Sequence, residues 1–464
     1  MKNLNYNKLK IFVSILIVSL FFCFHHLIQQ KTVYNNVFKS LFLNYVPNDT
    51  NKLKAEVPYQ KIHNNNLKSW DARIYLFIKD NLYDAKKMGG DYIFASFPLF
   101  PLVWKLSHLP PWGIMLLNII LFIISINILT KLFEDENDDK WVKISLFSIL
   151  FTLPGSTVFY IPYSEALFML LVTIAIFGII KDKYWIYCIG IFLAAMTRSV
   201  AVILIATFFA AELLKFLENK QIKVFLINFS KKIVPLILGT FAASLIQYIN
   251  GSGSLFKFIE VQKYWDYKFQ MPQIIKEWSE EGFGSSVATI FFIVAPALIY
   301  LIYLFFLKLN DFKNKKVEQI KNTDKKEYLF NLSLIYAVGI FLFILFFKGG
   351  NLYGTPRYII TTPFFFIIVY VGILKLKSLP NVIKYSMFGI LLFLSWFFIC
   401  MVSYAISWGF SDFGYILFVA SLAFILLNKS LIHYKFLFVI LIFMNILWAT
   451  YLFNMFLTNA WIAI

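Results

Sequence analysis

Long apolar runs alternate with short polar linkers from one end of the chain to the other. The first, 11–28, follows Lys2, Lys8 and Lys10, and further runs begin near Gly113, Val142, Glu165, Tyr184, Ile233, Ser286, Tyr328, Tyr358, Ile383, Phe413 and Phe436. A run of about 20 apolar residues matches the hydrocarbon thickness of a bilayer, and a backbone in lipid must satisfy its own N–H and C=O groups, so each run predicts a helix. The alternating pattern of an outer-membrane barrel is absent. The run 184–214 is too long for one ordinary span and is interrupted by Thr197-Arg198-Ser199. Dividing it at Arg198 keeps Lys215, Lys220, Lys223, Lys231 and Lys232 on the side of the other lysine-rich linkers, so two short helices are expected there. The first run has no small-residue cleavage site after it and reads as a helix rather than a signal peptide. The expected fold is all-α and polytopic, one integral membrane domain over 1–464 with about 13 transmembrane helices.

Two polar stretches are long enough to be more than linkers, 29–112 and 251–285. The positive-inside rule assigns the basic linker Lys308 to Lys326 to the cytoplasm, which puts the N-terminus there and both large loops on the extracytoplasmic side. In the first loop, Ser96 is expected to cap a short helix over 97–109 that tolerates Pro98 and Pro101 in its first turn, ends at Pro110-Pro111 and lies at the membrane interface.

Composition agrees with this class, at 60% hydrophobic and 20% aromatic residues. The net charge of +18 sits in lysines between apolar runs, where topology and anionic lipid account for it, and no nucleic-acid partner is expected. Cys23, Cys188 and Cys400 lie far apart inside apolar runs, which argues against a disulfide framework, and the five histidines lack the spacing of a zinc site. The abundance of Lys, Asn, Ile and Phe leans toward a bacterial inner (plasma) membrane.

The candidate chemistry is carried by a few charged residues. Asp71, Glu165, Arg198 and Arg357 all fall on the extracytoplasmic face of this topology, and only the Arg198 break entered its construction. Of 43 basic residues just three are arginine, Arg73, Arg198 and Arg357, and all lie on that face. Guanidinium is the group of choice where a planar, permanently charged fork must bind phosphate or carboxylate. Plainer readings exist for each: a loop carboxylate for Asp71, a helix-dipole partner for Glu165, a snorkelling side chain for Arg198 and a headgroup contact for Arg357. Asp80, Asp84 and Asp91 could join Asp71 around a divalent cation, but their spacing is not diagnostic, and neither a metal site nor a cofactor is expected.

At these residues the chain resembles the second GPI mannosyltransferase (PIG-V) family and its bacterial relatives, within the GT-C class of polytopic glycosyltransferases. The matching pieces are Trp70-Asp71-Ala72 with Tyr75 and Tyr83, then the segment from Ala95 to Pro101, Tyr163-Ser164-Glu165-Ala166-Leu167-Phe168, Thr197-Arg198-Ser199 and Arg357-Tyr358. The chain departs from the pattern at Val200-Ala201 and at Asn81-Leu82, where glycine is usual. The resemblance implies a GT-C-like bundle, a polyprenyl-phosphate-linked sugar as donor, a hexose such as mannose, a glycan or lipid acceptor, and transfer outside the cytoplasm with inversion. Such a displacement needs a base for the acceptor hydroxyl and cations for the leaving phosphate. Asp71 is the expected base, Glu165 orients the acceptor or an arginine, and Arg198, Arg357 and Lys348 bind the phosphate, with Trp70, Arg73, Tyr75 and Tyr358 in support. The alternative reading is a transporter or flippase of lipid-linked saccharides, for which internal repeats and a midplane site would be expected.

Overall fold

The computed structural model of the chain describes residues 6–27, 60–134, 139–265, 268–272, 283–313, 324–348, 354–377, 379–402, 410–427 and 432–459. Among them there is no β-strand, and the principal helices are α1 (Tyr6–Leu27), α2 (Asp71–Asn81), α3 (Leu99–Ser107), α4 (Pro111–Phe133), α5 (Lys140–Thr152), α6 (Glu165–Ile180), α7 (Tyr184–Thr197) and α8 (Ile203–Asn219). They continue with α9 (Ile222–Gln247), α10 (Ala295–Lys313), α11 (Lys325–Phe347), α12 (Pro363–Lys377), α13 (Asn381–Val402), α14 (Phe410–Leu427) and α15 (Ile432–Leu457).

Among the described residues eight helices are long and apolar enough to cross a membrane, which makes this an integral membrane protein of all-α class. A further apolar segment is broken: α5 meets the tight turn Pro154–Tyr160 at 67°. Pro154 explains the bend, because it supplies no N–H to continue the helical ladder. Shorter apolar helices include Glu165–Ile180 and Tyr184–Thr197.

Three of the boundaries that differ from expectation have a visible cause. Helix α9 begins at Ile222 instead of Ile233, because Phe225 and Phe229 pack on Phe209 of α8 and Lys232 reaches back to Glu212 and to the Tyr328 hydroxyl. The run 358–374 is not one helix: a short turn Thr355–Ile359 ends before α12, as the chain before Pro363 is pushed out of helical geometry. In the first loop the short helix starts at Leu99, and Ser96 does not cap it. The Ser96 carbonyl instead accepts from the Tyr83 hydroxyl at 2.8 Å and from Gln247 Nε2 at 3.1 Å.

Contacts between helix ends sort the bundle into two poles. At one pole Lys10 meets Glu134 at 3.4 Å, Lys375 meets Glu327 at 2.8 Å, Lys308 pairs with Glu218 and Lys325 with Asp182. These are the ends that adjoin the lysine-rich linkers.

At the opposite pole the described parts of the two large loops pack on each other. Ile78, Tyr83, Ile93 and Phe94 of the first loop bury against Val261 of the second. Phe97 meets Phe258 edge-on at 5.2 Å, and Lys257 pairs with Asp91 at 2.7 Å. Gln247, at the end of α9, donates to the Phe94 carbonyl at 2.9 Å and so ties this cap to the bundle.

Helices α6 and α7 form a hairpin closed by Lys181 and Asp182. Their lengths of 16 and 14 residues correspond to about 24 Å and 21 Å, so the end of α7 returns to the level at which α6 began. Small residues allow the close approach: a Cβ on Gly190 of α7 would lie 2.7 Å from the Ala175 backbone of α6. On α9, a Cβ on Gly239 would run into the Phe192 carbonyl of α7. This packing sets Arg198 beside Glu165.

Candidate functional site

Each candidate residue sits at the start or the break of a helix. Trp70 has φ 54° and ψ −126°, an uncommon conformation for a bulky side chain, and Asp71 follows as the first residue of α2. The unpaired N–H groups of a first turn favour a carboxylate there. One turn on, the buried Tyr75 shares a 2.9 Å hydrogen bond with Ser164 Oγ, which joins α2 to the turn before α6. Burial first, with the charges of Asp71 and Glu165 adding to it, pushes the Tyr75 phenol up, so it remains a neutral hydroxyl.

Glu165 opens α6 in the same way. The turn before it is clamped by Asn118 of α4, whose fully buried amide donates to the Ile161 and Tyr163 carbonyls at 2.6 and 2.8 Å. Arg198 lies in extended conformation, φ −147° and ψ 136°, between α7 and the tight turn Ser199–Val202, so the expected division of that run falls at this residue. Arg357 is on the turn Thr355–Ile359, entered through Gly354 at φ 76°, a conformation that glycine adopts without strain. Thr361 Oγ1 donates to the Arg357 carbonyl and steadies that turn.

These four charges meet. Arg357 donates Nε to Glu165 Oε1 at 2.5 Å and Nη2 to Asp71 Oδ2 at 2.6 Å. Arg198 Nη1 stands 2.5 Å from the same Glu165 oxygen. Aromatic faces complete the cradle, with the Arg357 guanidinium 4.7 Å over the Tyr163 ring and that of Arg198 5.8 Å over Tyr358. Among the described residues Glu165 Oε2 has no hydrogen-bond partner although it is buried.

Accessibility separates the roles. The Glu165 side chain is 1% exposed, the two arginines 13% each, and Asp71 33%. Glu165 is therefore the hub, and Asp71 is the member that a molecule from outside meets. Taking a charge from water costs several kcal/mol unless partners compensate it, so the buried carboxylate and guanidinium groups depend on one another.

The remaining sequence candidates fall around this network or away from it. Tyr75 and Tyr358 touch it, as described. Trp70 is 40% exposed, and Arg73 is exposed and bonds to none of the four charges among the described residues. Lys348 stands at the C-cap of α11, where its N–H bonds the Ile344 carbonyl at 2.8 Å. The four-aspartate grouping does not assemble: Asp80 pairs with Lys79 at 2.6 Å, Asp84 caps a short helix by accepting from Lys87 N at 3.0 Å, and Asp91 pairs with Lys257. No cluster of three or more His, Cys, Asp or Glu residues that could hold a metal occurs among the described residues. Asn118 is not among the sequence candidates, and Tyr163 enters there only within the Tyr163 to Phe168 segment, without a role of its own. The signal for Asn118 was an amide in the first half of the largely apolar run Gly113 to Phe133, which also carries Asn127.

No protein-family model, no curated protein and no solved structure matches this chain.

Proposed function

We propose that this chain is a GT-C-type membrane glycosyltransferase that moves a hexose, mannose in the first instance, from a polyprenyl-phosphate donor to an extracytoplasmic acceptor with inversion. The observation that carries the reading is the bridge made by Arg357 between Asp71 and Glu165, with Arg198 on the same Glu165 oxygen. It gathers one solvent-reached carboxylate and two guanidinium groups at one pole of an apolar helical bundle. In this reading the eight long helices, the bent pair and four shorter apolar helices make thirteen crossings of a bacterial inner membrane. The N-terminus and the lysine-rich pole are then cytoplasmic.

The acceptor hydroxyl gives its proton to Asp71, whose Oδ1 takes no hydrogen bond from a described residue, as its oxygen attacks the anomeric carbon. The bond from that carbon to the phosphate oxygen breaks on the opposite face, and its electron pair leaves with the polyprenyl phosphate. Arg198 and Arg357 supply N–H donors to the phosphate as its charge grows, and Glu165 fixes the direction in which both forks point. A phosphate leaves readily once its charge is compensated, so no dedicated acid is required.

Membranes with and without the protein, supplied with a panel of labelled polyprenyl-phosphate sugars, test the activity. Transfer is expected only with the protein, and Asp71→Asn should lower turnover about 100- to 10,000-fold while donor binding persists. Near-normal turnover in that variant would remove Asp71 from the chemistry, and no transfer from any donor would end the reading.

A further inference from the structure

We infer that Lys215, on α8 near the lysine-rich pole, binds the phosphate of an anionic phospholipid, at a site independent of the proposed transfer reaction. Lys215 and Lys232 both stand against the ring of one tyrosine, Tyr328 of α11, each ammonium 4.1 Å from its centroid. A single carboxylate faces them, Glu212 of α8, whose side chain is 1% exposed. Lys232 takes it: this lysine pairs with Glu212 and donates to the Tyr328 hydroxyl at 2.8 Å, while the Tyr187 hydroxyl bonds its backbone carbonyl at 2.7 Å. Two ammonium groups against one carboxylate leave the cluster with one positive charge in surplus, and that charge is Lys215.

The neighbouring acids are already taken. Glu218, one turn further along α8, is paired with Lys308, and Glu327, next to Tyr328 in the chain, with Lys375 at 2.8 Å. Among the described residues Lys215 has no ion pair and no hydrogen bond, only the Tyr328 ring. A ring face attracts an ammonium but carries no net charge, so a partly buried cation still calls for an anion. The Lys215 side chain is partly exposed, and a ligand can reach it. Depth says which ligand: Lys215 lies four residues, about 6 Å, inside the end of the apolar segment Ser199–Asn219, the level at which lipid phosphates sit. Leu213 and Leu214, just before it, line an apolar cavity that the exposed Phe305 and Phe306 leave open to the bilayer, so acyl chains have room beside the ammonium. One surplus charge matches a head with one net negative charge, such as phosphatidylglycerol, whereas a zwitterionic head brings a cation of its own.

Native mass spectrometry of the purified protein in detergent, titrated with phosphatidylglycerol, reads the binding. One phosphatidylglycerol should bind ahead of the rest, and phosphatidylcholine at the same concentrations should not. Lys215→Gln should weaken that first event about fivefold, the worth of one lysine beside an anionic lipid surface. Lys215→Met, which fills the same space with an unbranched apolar chain, should do the same, and Lys215→Arg should bind like the unaltered protein. Lys223→Gln, at an exposed position of the same pole, should change nothing. A photoactivatable phosphatidylglycerol should label α8 around Lys215. Equal weakening by Lys223→Gln, unchanged binding in both Lys215→Gln and Lys215→Met, or labelling confined to other helices would overturn the assignment. Displacement by inorganic phosphate would overturn it by revealing a site for a free anion. Tighter binding of a polyprenyl phosphate, lost in Lys215→Gln, would overturn it by giving this lysine to the transfer reaction.

Discussion

Arg198 and Arg357 converge on one oxygen, Oε1 of Glu165, each at 2.5 Å. They arrive from unrelated parts of the chain, one at the end of the α6–α7 hairpin and the other on the turn before α12. A single buried carboxylate therefore holds both guanidinium groups in register.

Glu165→Gln should be strongly destabilising, because it leaves two buried cations facing a neutral amide. The expected loss is about 3–5 kcal/mol, read from denaturant unfolding of the purified protein in detergent. A double-mutant cycle with Arg198→Met should return part of that loss, and strict additivity would show that the two groups do not interact.

How the site reads from sequence explains both what was visible and what was not. The apolar runs and the Arg198 break followed from hydropathy and lysine placement, and the four charges could be put on one face by that logic alone. That Glu165 takes both arginines could not be read, because it depends on the hairpin returning to its starting level and on Gly190 and Gly239 letting α7 fit between α6 and α9. The early start of α9 was hidden by lysines mixed with Phe225 and Phe229, whose packing on Phe209 decides the matter. Pro363 lies inside the expected run 358–374, and the break it makes there is a signal that hydropathy alone does not carry.

Arg357→Lys keeps a positive charge and loses the fork that reaches Asp71 and Glu165 together. Transfer should fall by about 100-fold through misplacement of Asp71, while the protein stays folded. Donor titration in the same preparation should show weaker binding, and unchanged donor affinity would argue that this residue does not touch the phosphate.

Asn118→Leu removes both donors that clamp the turn before Glu165. Two buried carbonyls lose their partner, at about 1–3 kcal/mol each. Unfolding experiments should show the loss, and transfer should fall as well because Glu165 moves with the turn. Normal transfer in a measurably destabilised protein would separate this clamp from the chemistry.

Asp80→Asn, Asp84→Asn and Asp91→Asn should each leave transfer close to normal. Asp80 and Asp91 sit in exposed pairs, worth about 0–1 kcal/mol. Washing with a chelator should leave rates unchanged in all three. A large drop in any of them, restored by added magnesium or manganese, would reinstate a cation in the first loop.

Summed over Asp71, Glu165, Arg198 and Arg357, the resting cluster is electroneutral. An arriving anion finds no surplus positive charge waiting and must compete with a carboxylate for guanidinium N–H groups. Asp71 is the one to give way, being the more solvated of the two acids and tied by one contact where Glu165 has two. The same exchange would leave its oxygens unencumbered at the moment a hydroxyl needs a proton acceptor, so occupancy by the first substrate would prepare the pocket for the second.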